Sequence, residues 1–370
     1  VPSLARLKQR KRAIVTAYAK PNNRKGLTQV LTTLVPLGLA WWIAVPSAHF
    51  SVWLAAGITL LMALLVLRAF VLMHECGHGS LFRSHRLNQA FGFVFGVVTG
   101  MPQYVWSERH AYHHATNGNW EKYRGPLLTV SVEEFTAMPA AKQRQYERDR
   151  NIWLAPLAGL AYLILHPRFT WLKGSLRLAA HVVKKKIAEP GVSLATHAAS
   201  FKTRYWTNAT QYRHITWNNI VLLSGWTLMA WSVGPALFFT VYVISVSLAG
   251  AAGIALFTVQ HNFEHSYASG TEGWDYDAAA LHGTSFLIFP RWLNWFTANI
   301  AYHHVHHLSA KIPNYLLARC HHEHAQLFSD VTRIKLSRIP AALKHILWDT
   351  RRGKIVSVAE YRQQCKPASA

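Results

Sequence analysis

Histidine supplies the chemistry that can be read from this chain. Four clusters stand out: His74-Glu75-Cys76-Gly77-His78, His110-Ala111-Tyr112-His113-His114, His261-Asn262-Phe263-Glu264-His265 and His303-His304-Val305-His306-His307. Residues three and four apart share a helix face, so each HxxxH or HxxHH set aims two or three imidazoles at one point. Ten such rings can enclose two metal ions. With 22 histidines in 370 residues, an HxxxH pair arises by accident about once and an HxxHH triple only about 0.1 times. The two triples therefore carry the signal, and the pairs support it by where they lie.

Each cluster lies at or near the end of an apolar stretch, and composition says what those stretches are. Of the residues, 51% are hydrophobic and 15% charged, yet the charges sum to +23, which an ordinary soluble core does not explain. The apolar residues form blocks near 30–46, 52–73, 219–233 and 235–260 that are almost free of charge and read as four membrane spans. The short connections Ser47 to Ser51 and Gly234-Pro235 contain no Lys or Arg, whereas eight precede the first span and twelve follow the fourth. Positive residues stay on the cytoplasmic side, so the expected fold is an all-α integral membrane protein. It has two hairpins, both termini in the cytoplasm, and a cytoplasmic helical cap. Arg68, late in the second span, is expected to snorkel to that face. His74 follows span two and His261 follows span four, so all four clusters can converge just above the bilayer.

The chain reads as a single domain over 1–370: a basic cytoplasmic N-terminus at 1–29, a core at 30–325 and a C-terminal segment at 326–370 whose polar end, from Arg351, shows no strong pattern. Phe91 to Met101, Ile152 to Leu165 and Trp292 to Ile300 are expected to lie in the interface, with Trp106 among the headgroup anchors. The basic N-terminus lacks the compact apolar region of a cleavable signal peptide. Cys76, Cys320 and Cys365 have no paired spacing and indicate a reducing compartment. Cys76 is expected to point away from the His74/His78 face.

The motifs resemble those of the membrane fatty acid desaturases. The three histidine boxes stand here as His74-Glu-Cys-Gly-His78-Gly-Ser, His110-Ala-Tyr-His113-His114 and Tyr302-His303-His304-Val-His306-His307-Leu, and Gln260-His261-Asn-Phe-Glu-His265-Ser fits a further ligand position after the fourth span. Within the family the chain looks similar to bacterial acyl-lipid desaturases of the Δ12 (omega-6) type. The resemblance covers roughly 30–325, and related hydroxylases, ketolases and sphingolipid desaturases share the same boxes.

That resemblance implies two iron ions held by His74, His78, His110, His113, His114, His265, His303, His306 and His307. His261 would be an additional ligand or an outer partner, and Asn299, Asp275, Glu108 and Glu264 are candidates to orient the rings. His304, on another helix face, is expected to satisfy backbone or solvent, and the His321-His322-Glu323-His324 patch to be exposed. Imidazole suits iron, and ferrous iron with O2 as co-substrate can take hydrogen from an unactivated methylene, which no general base can do. Two electrons per turnover must then come from a separate donor such as a ferredoxin, since no His-Pro-Gly-Gly haem motif occurs. The cationic face suits such a donor and anionic headgroups. The expected setting is a bacterial inner membrane with lipid acyl chains as substrate, and no nucleic-acid partner.

Three other chemistries fit less well. His74-Glu75-x-x-His78 matches the HExxH zinc-protease signature, but a protease needs one more ligand rather than seven or eight. A carboxylate-bridged di-iron bundle needs two Glu-x-x-His motifs, and Glu75-x-x-His78 stands alone. A haem carrier has no use for HxxHH triples.

Overall fold

A computed structural model describes residues 2–125 and 127–364. Helix α1 (Pro2–Tyr18) is followed by α2 (Asn23–Phe50), which Asn22 caps by accepting a hydrogen bond from the Lys25 amide at 3.1 Å. Ser51, in extended conformation, ends α2 and caps α3 (Val52–His78), and α2 and α3 pack against each other. Then come α4 (His85–Thr99), α5 (Gln103–Thr116), α6 (Ile152–Ala188), α7 (Ala209–Val233) and α8 (Pro235–His261). The shorter α9 (Tyr276–His282), α10 (His303–Leu308) and α11 (Asn314–Glu323) complete the part that matters for the site.

Among the described residues four helices are long and apolar enough to cross a membrane: Asn23–Ala48, Val52–His78, Ile152–Ala188 and Pro235–His261. Three coincide with expected spans. The expected span near 219–233 instead forms the second half of α7, whose first half carries Gln211, Arg213, His214, Asn218 and Asn219. Ile152 to Leu165, expected as a short interfacial piece, opens a continuous helical run of 37 residues with a π-helical turn at Ala161–Leu165. The main core lies where α2, α3, α4, α6 and α8 meet, around Met62, Leu65, Leu72, Phe95 and Val246.

Two contacts lock this core. Gly159 of α6 meets Gly250 of α8 so closely that a Cβ added at Gly250 would lie 2.6 Å from the Gly159 Cα. Only two glycines permit that approach. Arg168 of α6 donates to Asn219 Oδ1 at 2.6 Å, Asn218 Oδ1 at 2.8 Å and the Gly100 carbonyl at 2.6 Å, tying α6 to α7 and to the end of α4. Arg68 does not snorkel. It is buried, and it donates to Thr33 Oγ1 at 2.9 Å, to Gln29 Oε1 at 3.2 Å and to the Trp295 carbonyl, with the Trp295 ring 4.0 Å from its guanidinium. A buried cation is tolerated when its donors are this fully used.

The chain is mostly helical rather than all-α. β1 (Val130–Ser131) pairs parallel with β4 (His345–Asp349), which pairs antiparallel with β5 (Lys354–Ser357); β2 (Phe286–Ile288) pairs parallel with β3 (Arg333–Lys335). The C-terminal segment is therefore structured: Leu347, Val356 and Val358 bury against Phe135 and Tyr146, and the Ile355 amide donates to the Glu264 carbonyl at 2.9 Å. The basic N-terminal segment is structured too, since Leu7, Ile14 and Tyr18 of α1 pack on Val305, Leu317 and Phe328. Lys11 pairs with Asp277 at 2.5 Å.

Candidate metal centre

The four clusters meet. α3 stays helical to His78 and is stopped by Gly79 at φ 67°, a left-handed stop that glycine makes without Cβ cost. His74 and His78 thus share a face. α5 brings His110, His113 and His114, α8 ends on His261, and α10 presents His303, His306 and His307. Before α10 the backbone turns through two left-handed non-glycine residues, Ala298 at φ 46° and Asn299 at φ 61°. For Ala298 that conformation costs about 1–2 kcal/mol, strain of the kind found beside functional sites.

Nine imidazoles fall into two groups. His74, His78, His110, His114 and His306 offer ligand atoms all within 4.8 Å of one another, and so do His113, His261, His303 and His307. In the first group Nε2 atoms face each other: His74 to His78 at 3.3 Å, His110 to His114 at 3.0 Å, His114 to His306 at 3.1 Å. In the second, His261 and His303 do so at 2.9 Å. With metal–nitrogen bonds of about 2.0–2.1 Å, neighbouring ligand nitrogens stand roughly 3 Å apart. Burial first, and the neighbouring imidazoles next, hold His110, His113, His114, His303, His306 and His307 well below the ordinary histidine range. That favours the neutral form, the one that ligates. Both ring nitrogens of His113 and Nε2 of His307 are buried with no hydrogen-bond partner, which a metal would remedy. The donor set fits two transition-metal ions.

Of the expected ligands, eight lie in these groups and His265 does not. α8 stops at His261 with Asn262 as its cap, so His265 is no longer one turn further along a helix, and its side chain is exposed. His261 takes the position expected of His265. The proposed orienting residues have other work. Asn299 donates to the Asn314 carbonyl at 3.3 Å, Asp275 caps α9 by accepting from Ala278 N at 2.8 Å, Glu108 accepts from Gln211, and Glu264 pairs with Lys354 at 2.9 Å. His321 is buried rather than exposed, and its Nδ1 meets His304 Nε2 at 2.8 Å. His304 thus turns to His321, in neither metal group. Trp106, expected as a headgroup anchor, stacks on His110 with centroids 4.5 Å apart and donates to Tyr162 at 3.0 Å.

Cys76 and Cys320 are buried free thiols, and Cys365 lies outside the described residues. Sequence reasoning places Glu75 only in the HExxH and Glu-x-x-His alternatives and misses its contact with the rings. Its Oε1 lies 3.2 Å from His74 Nδ1, behind the ring rather than in the space a protease base would occupy. The signal was available, because a carboxylate inside an apolar helix of membrane-spanning length calls for a partner.

Beside the rings opens an apolar cavity of about 410 Å³. Val66, Phe70, Gly253 and Phe257 line it, and its wall includes His110 from one group and His113 from the other.

Two histidine groups able to hold metal beside an apolar cavity, carried on helices long and apolar enough to cross a membrane, fit a membrane metalloenzyme. Comparison with known proteins agrees. The fatty acid desaturase family model matches residues 51–335, and the chain belongs to that family of oxidoreductases. It is 33% identical over 344 residues to a fatty acid desaturase of Bacillus subtilis, covering 93% of this chain and 88% of that one. To the sn-1 oleoyl-lipid 12-desaturase of Anabaena variabilis it is 24% identical over 302 residues, 80% of this chain and 75% of the relative. To the sn-1 acyl-lipid omega-3 desaturase (ferredoxin) of Synechocystis it is 25% identical over 252 residues, 68% and 61% of the two chains.

Proposed function

We propose that this protein inserts a cis double bond into a lipid-linked acyl chain, at the Δ12 (omega-6) position, using O2 and two electrons from a ferredoxin-like donor. The observation that carries this reading is the cavity wall: His110 and His113 belong to different histidine groups and both face the same apolar space. A chain lying there is flanked by both metal positions. Two iron ions, held by the nine clustered histidines, would supply the O2-dependent oxidation of an unactivated methylene. The protein's own part is to exclude water with Phe70, Phe257 and Val66 and to hold the chain still against the rings. A cavity of this size lies within the ordinary range for ligand sites. Relatives named for sn-1 lipid positions support a lipid-linked substrate, and one named for ferredoxin supports that donor.

In this reading the chain is one desaturase domain in a bacterial inner membrane, with α2, α3, α7 and α8 crossing as two hairpins and the histidines on the cytoplasmic side. α6 lies along that interface. Both its ends are basic, Arg148 and Arg150 before it and Lys184, Lys185 and Lys186 at its close, so crossing would put one basic end outside. Its exposed Trp153, Leu157, Leu176, Val183 and Ile187 suit a helix lying in the headgroup layer. Cysteines placed at Ser47 and Gly234 should label from outside only, and one at Lys185 from the cytoplasm only. The test of activity is expression in a host without polyunsaturated lipids, followed by fatty acid methyl ester analysis. A new diene with its second bond at Δ12 is expected; a hydroxylated chain would assign the protein to the related hydroxylases instead.

A further inference from the structure

We infer that Glu75 is the positioning residue for His74 and His306, and that it makes the two metal positions chemically unequal; this rests on the two-metal reading above. The Glu75 side chain is fully buried. Its Oε2 is fixed from two sides, accepting from Ser80 Oγ at 2.9 Å and from the Asn314 backbone amide at 3.0 Å. Its Oε1 stands 3.2 Å from His74 Nδ1 and 3.9 Å from His306 Nδ1. All three of these atoms are buried and make no aligned hydrogen bond. Three adjacent polar atoms left over in a dry interior are one unmade interaction: a carboxylate oxygen facing two imidazole N–H groups, completed by a small turn of the rings.

Ligation requires that geometry. A neutral imidazole carries one proton, and the nitrogen without it is the ligand. His74 and His306 present Nε2 to the other rings of their group, so the proton must sit on Nδ1, facing Glu75. The Glu75 oxygen, accepting from both Nδ1–H groups, holds that tautomer and raises the basicity of both ligands. The two rings come from α3 and α10, so one side chain sets the angle between elements more than 200 residues apart in sequence.

The other group has no such partner. Among the described residues no carboxylate other than Glu75 lies within 4.0 Å of a clustered histidine. His261 Nδ1 faces only the neutral Gly283 carbonyl, at 3.2 Å. The five-histidine position therefore binds a divalent ion more tightly, and the four-histidine position is the one that loses its ion first.

Glutamine at position 75 has the same shape and the wrong hydrogen bonds. If its oxygen keeps Ser80 and Asn314, its NH2 meets two Nδ1–H donors; if it flips, the NH2 meets the Asn314 amide. Purified protein, stripped of metal and titrated with Co2+, should take up two equivalents, read from the cobalt visible bands and bound-metal analysis. Glu75→Gln should weaken the tighter step about 10- to 100-fold and leave the weaker one in place, whereas Ser80→Ala, which removes one support of Oε2, should shift it by no more than a few-fold. Equal affinities in Glu75→Gln and the unmodified protein, or loss of the weaker step instead, would overturn the inference. Should Glu75→Gln not fold, nitrogen-15 spectra of the zinc-loaded unmodified protein decide: His74 and His306 must carry the proton on Nδ1, and metal at Nδ1 of either refutes the claim. Uptake of a single equivalent by the unmodified protein would count against the two-metal reading, and the tautomer of His74 and His306 would still judge Glu75.

Discussion

Helices α3 and α8 leave the apolar layer in different ways. α3 continues through both histidines of its HxxxH pair and ends only afterwards, at Gly79 in the left-handed region with φ 67°. α8 ends on the first histidine of its pair: Asn262 is extended, and beyond it Phe263 packs in a small core with Val259, Leu287 and Ala301. Spacing of four residues puts two side chains on one face only while both remain helical. The same pattern thus yields two clustered histidines at one exit and one at the other.

The largest expected effect tests that difference directly. His78→Ala and His261→Ala should each remove a ligand, lowering bound metal and cutting desaturation by on the order of 100-fold or more, and His113→Ala and His306→Ala should do the same while the protein still inserts. Metal analysis of membranes and methyl ester profiles would check all four. If His261→Ala keeps full metal, α8 is not a ligand-bearing helix and the comparison fails. Next is His304→Asn, which unpairs the buried His321. It should cost about 1–3 kcal/mol of stability, seen as a lowered thermal midpoint, with near-normal metal. Loss of metal equal to that of His303→Asn would show that the register of α10 is wrong. Gly79→Ala should cost about 1–2 kcal/mol through its positive φ, again read by thermal unfolding, and so loosen the end of α3. Smallest of all, His265→Ala should change stability by less than about 0.5 kcal/mol and leave metal content unchanged; a metal loss comparable with His261→Ala would erase the contrast between the two exits.

What could be read from the chain followed how local each signal was. His110, His113 and His114 lie within one turn and a quarter of α5, so helix geometry alone brings them to one side of it, although His113 joins a different group from His110 and His114. His265 falls outside the groups because α8 stops at His261, where neither Gly nor Pro marks the end of the helix. Arg68 looked free to reach the surface because its partners, Gln29, Thr33 and the Trp295 carbonyl, are 39, 35 and 227 residues away. β5 forms a local hairpin with β4, but what holds that hairpin, β1 beside β4 and the Glu264 carbonyl on the Ile355 amide, lies far away in sequence, and the segment alone reads as a polar tail. The span near 219–233 follows the apolar half of α7 alone, while the buried Asn218 and Asn219 at its start serve Arg168 of α6.

The meeting of Gly159 and Gly250 has a consequence for anyone who would redesign this enzyme. Ala158 and Gly250 both line the cavity beside that crossing, so along this stretch its boundary is largely main chain. Trimming a side chain enlarges a pocket built of side chains; here almost nothing remains to trim. At Gly253, by contrast, an added Cβ would meet nothing within 4 Å, so this wall can be thickened but hardly thinned. Variants at Ala158, Gly250 and Gly253 should therefore accept the same chains or shorter ones, and accommodating bulkier chains would require a side chain elsewhere on the wall, Phe257 or Phe70, to give way.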